Sequence, residues 1–555
     1  MQVRLGQCLA LGLLVATACG DDSGATPGTG DSTGVATRGG GPAGDDGAAD
    51  ADADTDTDTD TDGTASTGGG STDGGDATGT DDTGPGQPGM VDVHLVADED
   101  VPGAQRINFA VPLQAGQLSD GTLVRVMHEG AEVPATSRGL APYGDGSYRS
   151  VQIQLDLEVI GSTTVSVAIG GEAGLEGPER IPVQDTLTVP DGSEGPRVWA
   201  VLPGDWLAAS GIGGPLAPAS AVEGTALAAW LSHCDYATWD TAAFLAVADD
   251  NGPWLFDRGT ALGRAYAITG DLVALRSQYR EAAIYGMGIT GEGADIVIPV
   301  PGASGDAKYH YTQNLAMHYL LTGDDRFRER AEDVAGRMAQ LWPSPGYAGG
   351  ADFWTERHAG FALLAYVHAA AVSDDAAATY LALADEVVVA YLDLMATYPE
   401  GYDDPNARCF AHHADAHGEG YGYFGCSPWM SAILADGLEQ YAILRGGAQA
   451  DDARAAIVSL GRILAQQGTD AEGRPLYWMG VGTDQDEVDG YDEHWGESAY
   501  VIAMAWHHAA ADEPVLRDAA DALVAGLAAN GQAPHVRSYN WQCRSAVAAP
   551  WYLLR

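Results

Sequence analysis

The stretch that most limits what this chain can fold into is one that it carries twice. "FDRGTALGRAYAITGD" (256–271) lies without a gap on "YHYTQNLAMHYLLTGD" (309–324), so that Leu262 falls on Leu315, Tyr266 on Tyr319, and one Thr-Gly-Asp on the other. Weaker copies follow at "RHAGFALLAYVHAAAVSD" (357–374), "PWMSAILADGLEQYAILRGG" (428–447) and "WGESAYVIAMAWHHAAAD" (495–512). Each reads as a helix apolar nearly all round, and such helices are buried. Between them lie helices with a single apolar stripe, such as "RFRERAEDVAGRMAQLW" (326–342) and "DDARAAIVSLGRILAQQ" (451–467), which belong outside. Buried and amphipathic helices alternating at this long period predict an α/α toroid over 201–555, closed or incomplete. A straight helical-repeat solenoid is the alternative, and the period is too long for it.

Ahead of the helices, residues 90–200 read as strands. "VDVHLV", "TLVRVMHEG", "RSVQIQLDLEV" and "TTVSVAIGG" are β-branched and alternating, and "SDG", "YGDGS" and "IGG" punctuate them. The expectation is an all-β sandwich or small barrel, giving a multidomain chain. Residues 20–89 are nearly all Gly, Asp, Thr, Ser, Ala and Pro, and hold too little apolar surface to offset ordering entropy, so they read as a disordered tether. Residues 1–19 have Arg4, a short apolar core and "ATAC". That pattern is similar to a bacterial lipoprotein signal with Cys19 as the lipidated residue, the alternative being an ordinary secretory signal. The expected location is the cell envelope, with the membrane engaged only through that lipid.

The chain carries 78 acidic and 27 basic residues, a formal net charge of −51. A nucleic-acid partner needs a basic footprint to displace counterions, which this balance denies. Four further cysteines suggest two disulfides in an oxidising compartment. Cys409 and Cys426 are near neighbours in sequence, and Cys234 with Cys543 would join the ends of the helical domain.

In a toroid the inner helices run in one direction, so the residues before each helix meet at one mouth. These are Asp257 and Arg258; Lys308, Tyr309, His310 and Tyr311; Glu356, Arg357 and His358; Pro428 and Trp429; and Glu493, His494, Trp495 and Glu497. Lys308 is the sole lysine of the chain. The loop "CFAHHADAHGEGYGYFGC" (409–426) should overhang the same mouth. Its His412, His413 and His417 are of a type that can bind a divalent ion, although no paired-ligand motif accompanies them. The expectation is no cofactor, with that loop as the candidate metal position. His318, His368, His507 and His508 lie inside helices and read as structural.

"INFAVPLQAGQLSDGTLVRV", "YGDGSYRSVQIQLDLEV", "VWAVLPGDWLAASGIGGPLAP" and the 256–271 repeat resemble the exo-rhamnogalacturonan lyase-like family over about 90–330. The resemblance implies a β module followed by an α/α domain, and β-elimination at a uronic acid of a pectin-like polysaccharide. Chemistry then asks for a cation on the sugar carboxylate, a base in proton reach and an acid for the leaving oxygen. Lys308, Arg357 and Arg258 are the candidate cations. His310, Tyr311, His358, His413 and His494 are candidates to move protons, with Arg357 among the catalytic set. Asp257, Tyr309, Glu356, Trp429, Glu493, Trp495 and Glu497 complete the expected substrate contacts. An inverting glycoside hydrolase using two of Asp257, Glu356, Glu493 and Glu497 is the alternative, and a non-catalytic glycan-binding surface lipoprotein is a third reading; on each, the expected state is a monomer.

Overall fold

The repeated Thr-Gly-Asp turns out to be the hinge between an inner helix and its outer partner. The structure, a computed structural model, describes residues 89–555 except 235, 238–239, 344–354, 398–403, 405, 414–423, 482–485, 489–492, 511 and 532–533. Cys19, the 1–19 signal and the tether up to residue 88 lie outside the described residues.

Eight strands come first: β1 Met90–Ala97, β2 Gln105–Pro112, β3 Val124–His128, β4 Ala131–Val133, β5 Ala135–Pro142, β6 Tyr148–Leu157, β7 Ser162–Ile169 and β8 Val198–Val201. They form a five-stranded sheet, β4-β3-β7-β1-β8, and a three-stranded sheet, β2-β6-β5, with antiparallel pairing throughout. The module is therefore a two-sheet sandwich. In β1, Val91, Val93 and Leu95 are buried while Asp92 and His94 face solvent, the alternation of a half-buried strand.

The β2 and β6 strands are buried on both faces, for a different reason. The side of the small sheet away from the sandwich core carries Asn108, Ser150, Gln152 and Gln154. Those amides and hydroxyls meet the C-terminus of a helix whose last carbonyls have no partner of their own. Asn108 Nδ2 donates to the Thr322 carbonyl at 2.8 Å, Ser150 Oγ to Leu320 at 2.6 Å, and Arg138 Nη2 to Gly323 at 2.6 Å.

Short helices α1 Gly204–Ser210, α2 Ala219–Val222, α3 Ala228–His233 and α4 Thr241–Leu245 lead into the toroid. Five hairpins follow, each an inner helix and its outer partner. They are α5 Arg258–Thr269 with α6 Leu272–Gly288, α7 Gln313–Thr322 with α8 Asp325–Leu341, and α9 Glu356–Val372 with α10 Ala377–Thr397. The last two are α11 Pro428–Arg445 with α12 Gly447–Gln467, and α13 Trp495–His508 with α14 Pro514–Asn530. The sixth inner position is filled by α15 Ser538–Ser545 and α16 Ala549–Leu553. Gly270 and Gly323 end α5 and α7 with φ of 63° and 70°, and Asp271 and Asp324 then cap α6 and α8. In α8, Phe327, Ala331, Val334, Ala335 and Met338 make the single buried stripe expected of an outer helix.

The inner ring closes: α5 packs on α7, α7 on α9, α9 on α11, α11 on α13, α13 on α15, and α15 back on α5. The second residue of α5, Gly259, lies against the second of α7, Asn314, so the two helices run the same way. Gly360 of α9 is pressed so closely on α11 that a Cβ would come within 2.6 Å of the Leu434 nitrogen. Disulfides Cys234–Cys543 and Cys409–Cys426 are both formed, the first tying the end of α3 to α15. They fit an oxidising, extracytoplasmic compartment. The 409–426 segment, read from sequence as a loop, holds two short strands, β9 His412–His413 and β10 Phe424–Cys426. With β11 Leu476–Gly480 and β12 Glu487–Val488 they form a small sheet, β12-β11-β10-β9. Strands of two or three residues carry no period, so the sequence offers no signal for them. Among the described residues no helix is long and apolar enough to cross a membrane.

Charge fills the barrel axis. Asp436 of α11 pairs with Arg264 of α5 and Arg544 of α15, each at 2.8 Å, and all three are fully buried. Arg544 Nη2 donates to Gln313 of α7 at 2.6 Å, and the Tyr500 hydroxyl of α13 reaches Asp436 at 3.3 Å. Removing one partner of such a network strands the others without compensation. Asp436→Asn is expected to lower stability by about 3–5 kcal/mol, read as a shift in the urea midpoint. An unchanged midpoint would contradict the role given to Asp436.

Candidate functional site

Three side chains from three successive inner helices meet at the N-terminal end of the toroid. Trp429, the second residue of α11, lies parallel to the His494 ring just before α13, with centroids 4.4 Å apart and an interplanar angle of 8°. The Arg357 guanidinium, second in α9, sits 5.6 Å from the same indole. Phe256, Tyr477 and Trp541 surround Trp429 at 5.4, 5.7 and 6.1 Å, so elements from around the ring contribute to one cluster. Arg357, Trp429 and His494 are all nearly buried. The His494 Nδ1 is 3.4 Å from Glu497 Oε1, one helical turn on. A carboxylate only accepts, so the ring nitrogen that faces Glu497 is the donor of this contact.

Beside it lies a group organised by Asp306, a residue the sequence reading passed over. Its carboxylate accepts from the Lys308 amide at 3.1 Å, and lies 3.5 Å from Lys308 Nζ and 3.1 Å from His358 Nε2. The 3-10 turn Ala307–Tyr309 that follows holds Lys308, whose ammonium is 5.6 Å from the Tyr309 ring. His358 Nδ1 meets the Thr355 hydroxyl at 2.9 Å, and its ring stacks on Trp342. Both ring nitrogens are thus engaged, and burial lowers the imidazole to about 4, so His358 is neutral at pH 7. Burial pushes Asp306 up, but the His358 hydrogen bond and Lys308 outweigh it and hold the carboxyl below its ordinary range. His310 Nδ1 donates to the Asp306 carbonyl at 2.9 Å; its Nε2 has no partner among the described residues, and burial lowers it to about 4.

The remaining expected residues are placed as follows. Asp257 caps α5 with φ 58°, accepting from Thr260 and, at 2.6 Å, from Asn314 Nδ2. Arg258 pairs with buried Glu281 at 2.8 Å, and Tyr309 reaches Asn251 at 3.4 Å. The Tyr311 hydroxyl donates to the Trp254 carbonyl at 2.9 Å, and burial raises it well above its ordinary value, which gives Tyr311 a packing contact and not a basic oxygen. Glu356 accepts from the Ser427 amide at 2.9 Å and lies 3.2 Å from His412 Nδ1. Glu493 sits 3.1 Å from the half-exposed His535, and the Trp495 ring packs where Gly526 has no side chain. The structure therefore brings Arg357, Trp429 and His494 together, and joins Lys308 to His358 through Asp306. It spreads Asp257, Arg258, Tyr311 and Trp495 into the walls. The His413 side chain and His417 lie outside the described residues; among those described, no group of three metal-ligating side chains occurs. Tyr477, Trp541 and Arg537, the last 5.3 Å from the Trp541 ring, are site residues the sequence reading missed.

The fold and the cluster define a class: an α/α toroid behind a β-sandwich, with a buried aromatic and cationic cluster at the N-terminal end of its inner helices. No protein-family profile and no curated protein matches the chain. Among solved structures, a polysaccharide lyase superposes with a TM-score of 0.41 at 13% identity, covering 59% of this chain and 97% of that one. A cellobiose 2-epimerase from Bacillus thermoamylovorans B4167 superposes with a TM-score of 0.33 at 11% identity, covering 50% and 74%. Overlaps at this level carry no argument about activity.

Four buried histidines set an acid limit. His310 and His358 are lowered to about 4, and His318 and His368 to about 3, each by burial. Between about pH 6.5 and 4 the unfolded chain binds protons that the folded chain refuses, so stability is full above that window and falls through it. Glu281, Asp257 and Glu332, each raised chiefly by burial, pull the other way but are fewer. The melting temperature is expected to fall steadily from pH 7 to pH 4; a flat profile over that range would contradict the buried-neutral assignment.

Proposed function

We propose that the chain is a carbohydrate-active enzyme that binds a uronic-acid-containing, pectin-like glycan at the toroid mouth and cleaves it by β-elimination. The observation that carries this is the Arg357–Trp429–His494 cluster, which sets a permanent cation and an oriented imidazole against one indole. In the reaction, Arg357, with Lys308 as a second cation, takes the sugar carboxylate and makes the proton on the adjacent carbon more acidic. His494 Nε2 accepts that proton. The electron pair forms the C4–C5 double bond, the C4–O bond breaks, and the departing oxygen takes a proton from an acid, the role proposed for Tyr477, whose ring centroid is 5.9 Å from that of His494.

The hydrolase reading needs two carboxyl groups about 6.5–9.5 Å apart, one protonated and one activating water. Each of its four candidates is already committed: Asp257 to Thr260 and Asn314, Glu356 to Ser427 and His412, Glu493 to His535, and Glu497 to His494. That favours elimination. We place the enzyme in the cell envelope, held through a lipid on Cys19. Cys19→Ser is then expected to move the protein from the membrane fraction to the medium, and retention in the membrane would count against the anchor.

Incubating the protein with polyuronates and neutral polysaccharides tests the reaction. Ultraviolet absorbance from an unsaturated uronide is expected, with Arg357→Gln and His494→Gln each lowering kcat/KM by on the order of 10²-fold or more. Reducing ends without that absorbance mean a hydrolase, retention without product means a binder, and either outcome sinks the lyase reading.

A further inference from the structure

The N-terminus of α11 is capped by its neighbour. Ser427 is the N-cap residue of α11, with Pro428 at the first helical position. An N-cap serine ordinarily turns its hydroxyl onto the early amides of its own helix, and a Glu three residues on takes its N–H in return. Ser427 makes no such side-chain cap, and Met430 stands where that Glu would be. Its hydroxyl instead donates to the Tyr477 carbonyl of β11 at 3.0 Å. Its amide donates at 2.9 Å to Oε1 of Glu356, the first residue of α9. The carboxylate missing from α11 is thus supplied across the helix interface.

Glu356 and Ser427 are both fully buried. The second carboxylate oxygen of Glu356 faces His412 Nδ1 of β9 at 3.2 Å. One turn along the same face of α9, Gly360 leaves no slack between the helices, since a Cβ there would stand 2.6 Å from the Leu434 nitrogen of α11.

The residues that flank this contact are those of the site. Arg357 follows Glu356, Trp429 comes two after Ser427, and Tyr477 offers the carbonyl that takes the Ser427 hydroxyl. Trp429 lies 5.6 Å from the Arg357 guanidinium and 5.7 Å from the Tyr477 ring, and two hydrogen bonds at Ser427 link the backbones that carry all three. A buried amide without an acceptor is costly, so loss of the carboxylate would be met by movement of the first turn of α11. We propose that Glu356 is a positioning residue: through the Ser427 amide it holds Arg357, Trp429 and Tyr477 in one arrangement and touches no substrate itself. Its effect on rate rests on the elimination reading.

The test compares Glu356→Gln, which keeps an oxygen for the Ser427 amide, with Glu356→Met, which removes it at similar volume. Two readouts are taken on the intact protein: unsaturated product from a polyuronate, and amide hydrogen exchange in a peptide containing residue 427. In Glu356→Met, exchange at 427 is expected to rise and kcat to fall on the order of tenfold or more, with KM changed by less than about threefold. A displaced guanidinium still attracts the sugar carboxylate but no longer lines up with His494. Glu356→Gln is expected to recover most of both. Where Glu356→Met does not fold, Ser427→Ala replaces it: the amide contact stays and Tyr477 is released, so kcat falls severalfold while exchange at 427 remains slow. Wild-type kcat in the variant used, or a glutamine variant as slow as the methionine one, overturns the proposal. If the wild type yields no unsaturated product, the elimination reading falls alone, and unchanged exchange at 427 in Glu356→Met is the result that overturns the positioning role.

Discussion

At the axis of the toroid a single carboxylate, Asp436, pairs with two guanidinium groups that are buried away from the surface. Burying three charges is expensive, and the attraction recovers that cost only when the geometry is good and the remaining polar atoms are bonded. Here Gly213, Gln313 and Tyr500 supply bonds, so α5, α7, α11, α13 and α15 meet through one network. An apolar core of the same volume would tolerate sliding of one helix past another. A shared carboxylate does not, and the relative depth of the inner helices is set by it. The N-termini of those helices, and hence the spacing of Arg357, Trp429 and His494, inherit that register.

The other end of the ring is fixed differently. The small sheet of the β module turns Asn108, Ser150 and Arg138 on the last carbonyls of α7, where a free helix would leave acceptors unpaired. The β module therefore acts as a cap on the toroid, and its polar face explains why β2 and β6 do not show the alternation of a half-buried strand. All of these bonds fall at the C-terminal end of α7, away from the Arg357–Trp429–His494 cluster.

Much of this was legible in the chain. Leu262 with Leu315, Tyr266 with Tyr319 and the repeated Thr-Gly-Asp mark one helix end each, because αL glycine and an Asp cap are local requirements that survive any tertiary context. Counting back from those ends places Lys308, His358, Trp429 and His494 at one opening. Asp306 was missed because it belongs to a turn with no counterpart in the other repeats. Tyr477 and Trp541 were missed because they come from a short strand and from the closing segment. Asp436 had a readable signal that went unread: a carboxylate inside "SAILADGLEQYAIL", on a helix apolar all round, must find a buried cation. The roles of Arg258 and Tyr311 were beyond the sequence, since whether a rim residue faces the opening or the wall depends on neighbours such as Glu281 and Trp254 that lie in other elements.

A chain of net charge −51 repels polyanions at a distance, so the acidic glycan proposed as substrate would be held only where cations are gathered. Lys308, Arg357 and Arg537 each lie over an aromatic ring near the N-terminal end of the inner helices, which helps to orient them. The most direct test of that gathering is a crystal structure of the protein soaked with a short oligouronide. A sugar carboxylate is expected within hydrogen-bond distance of Arg357, with the ring beside Trp429 and His494. Oligouronide density seated on the β-sandwich or on the outer helices, with the mouth left as it is, would contradict it.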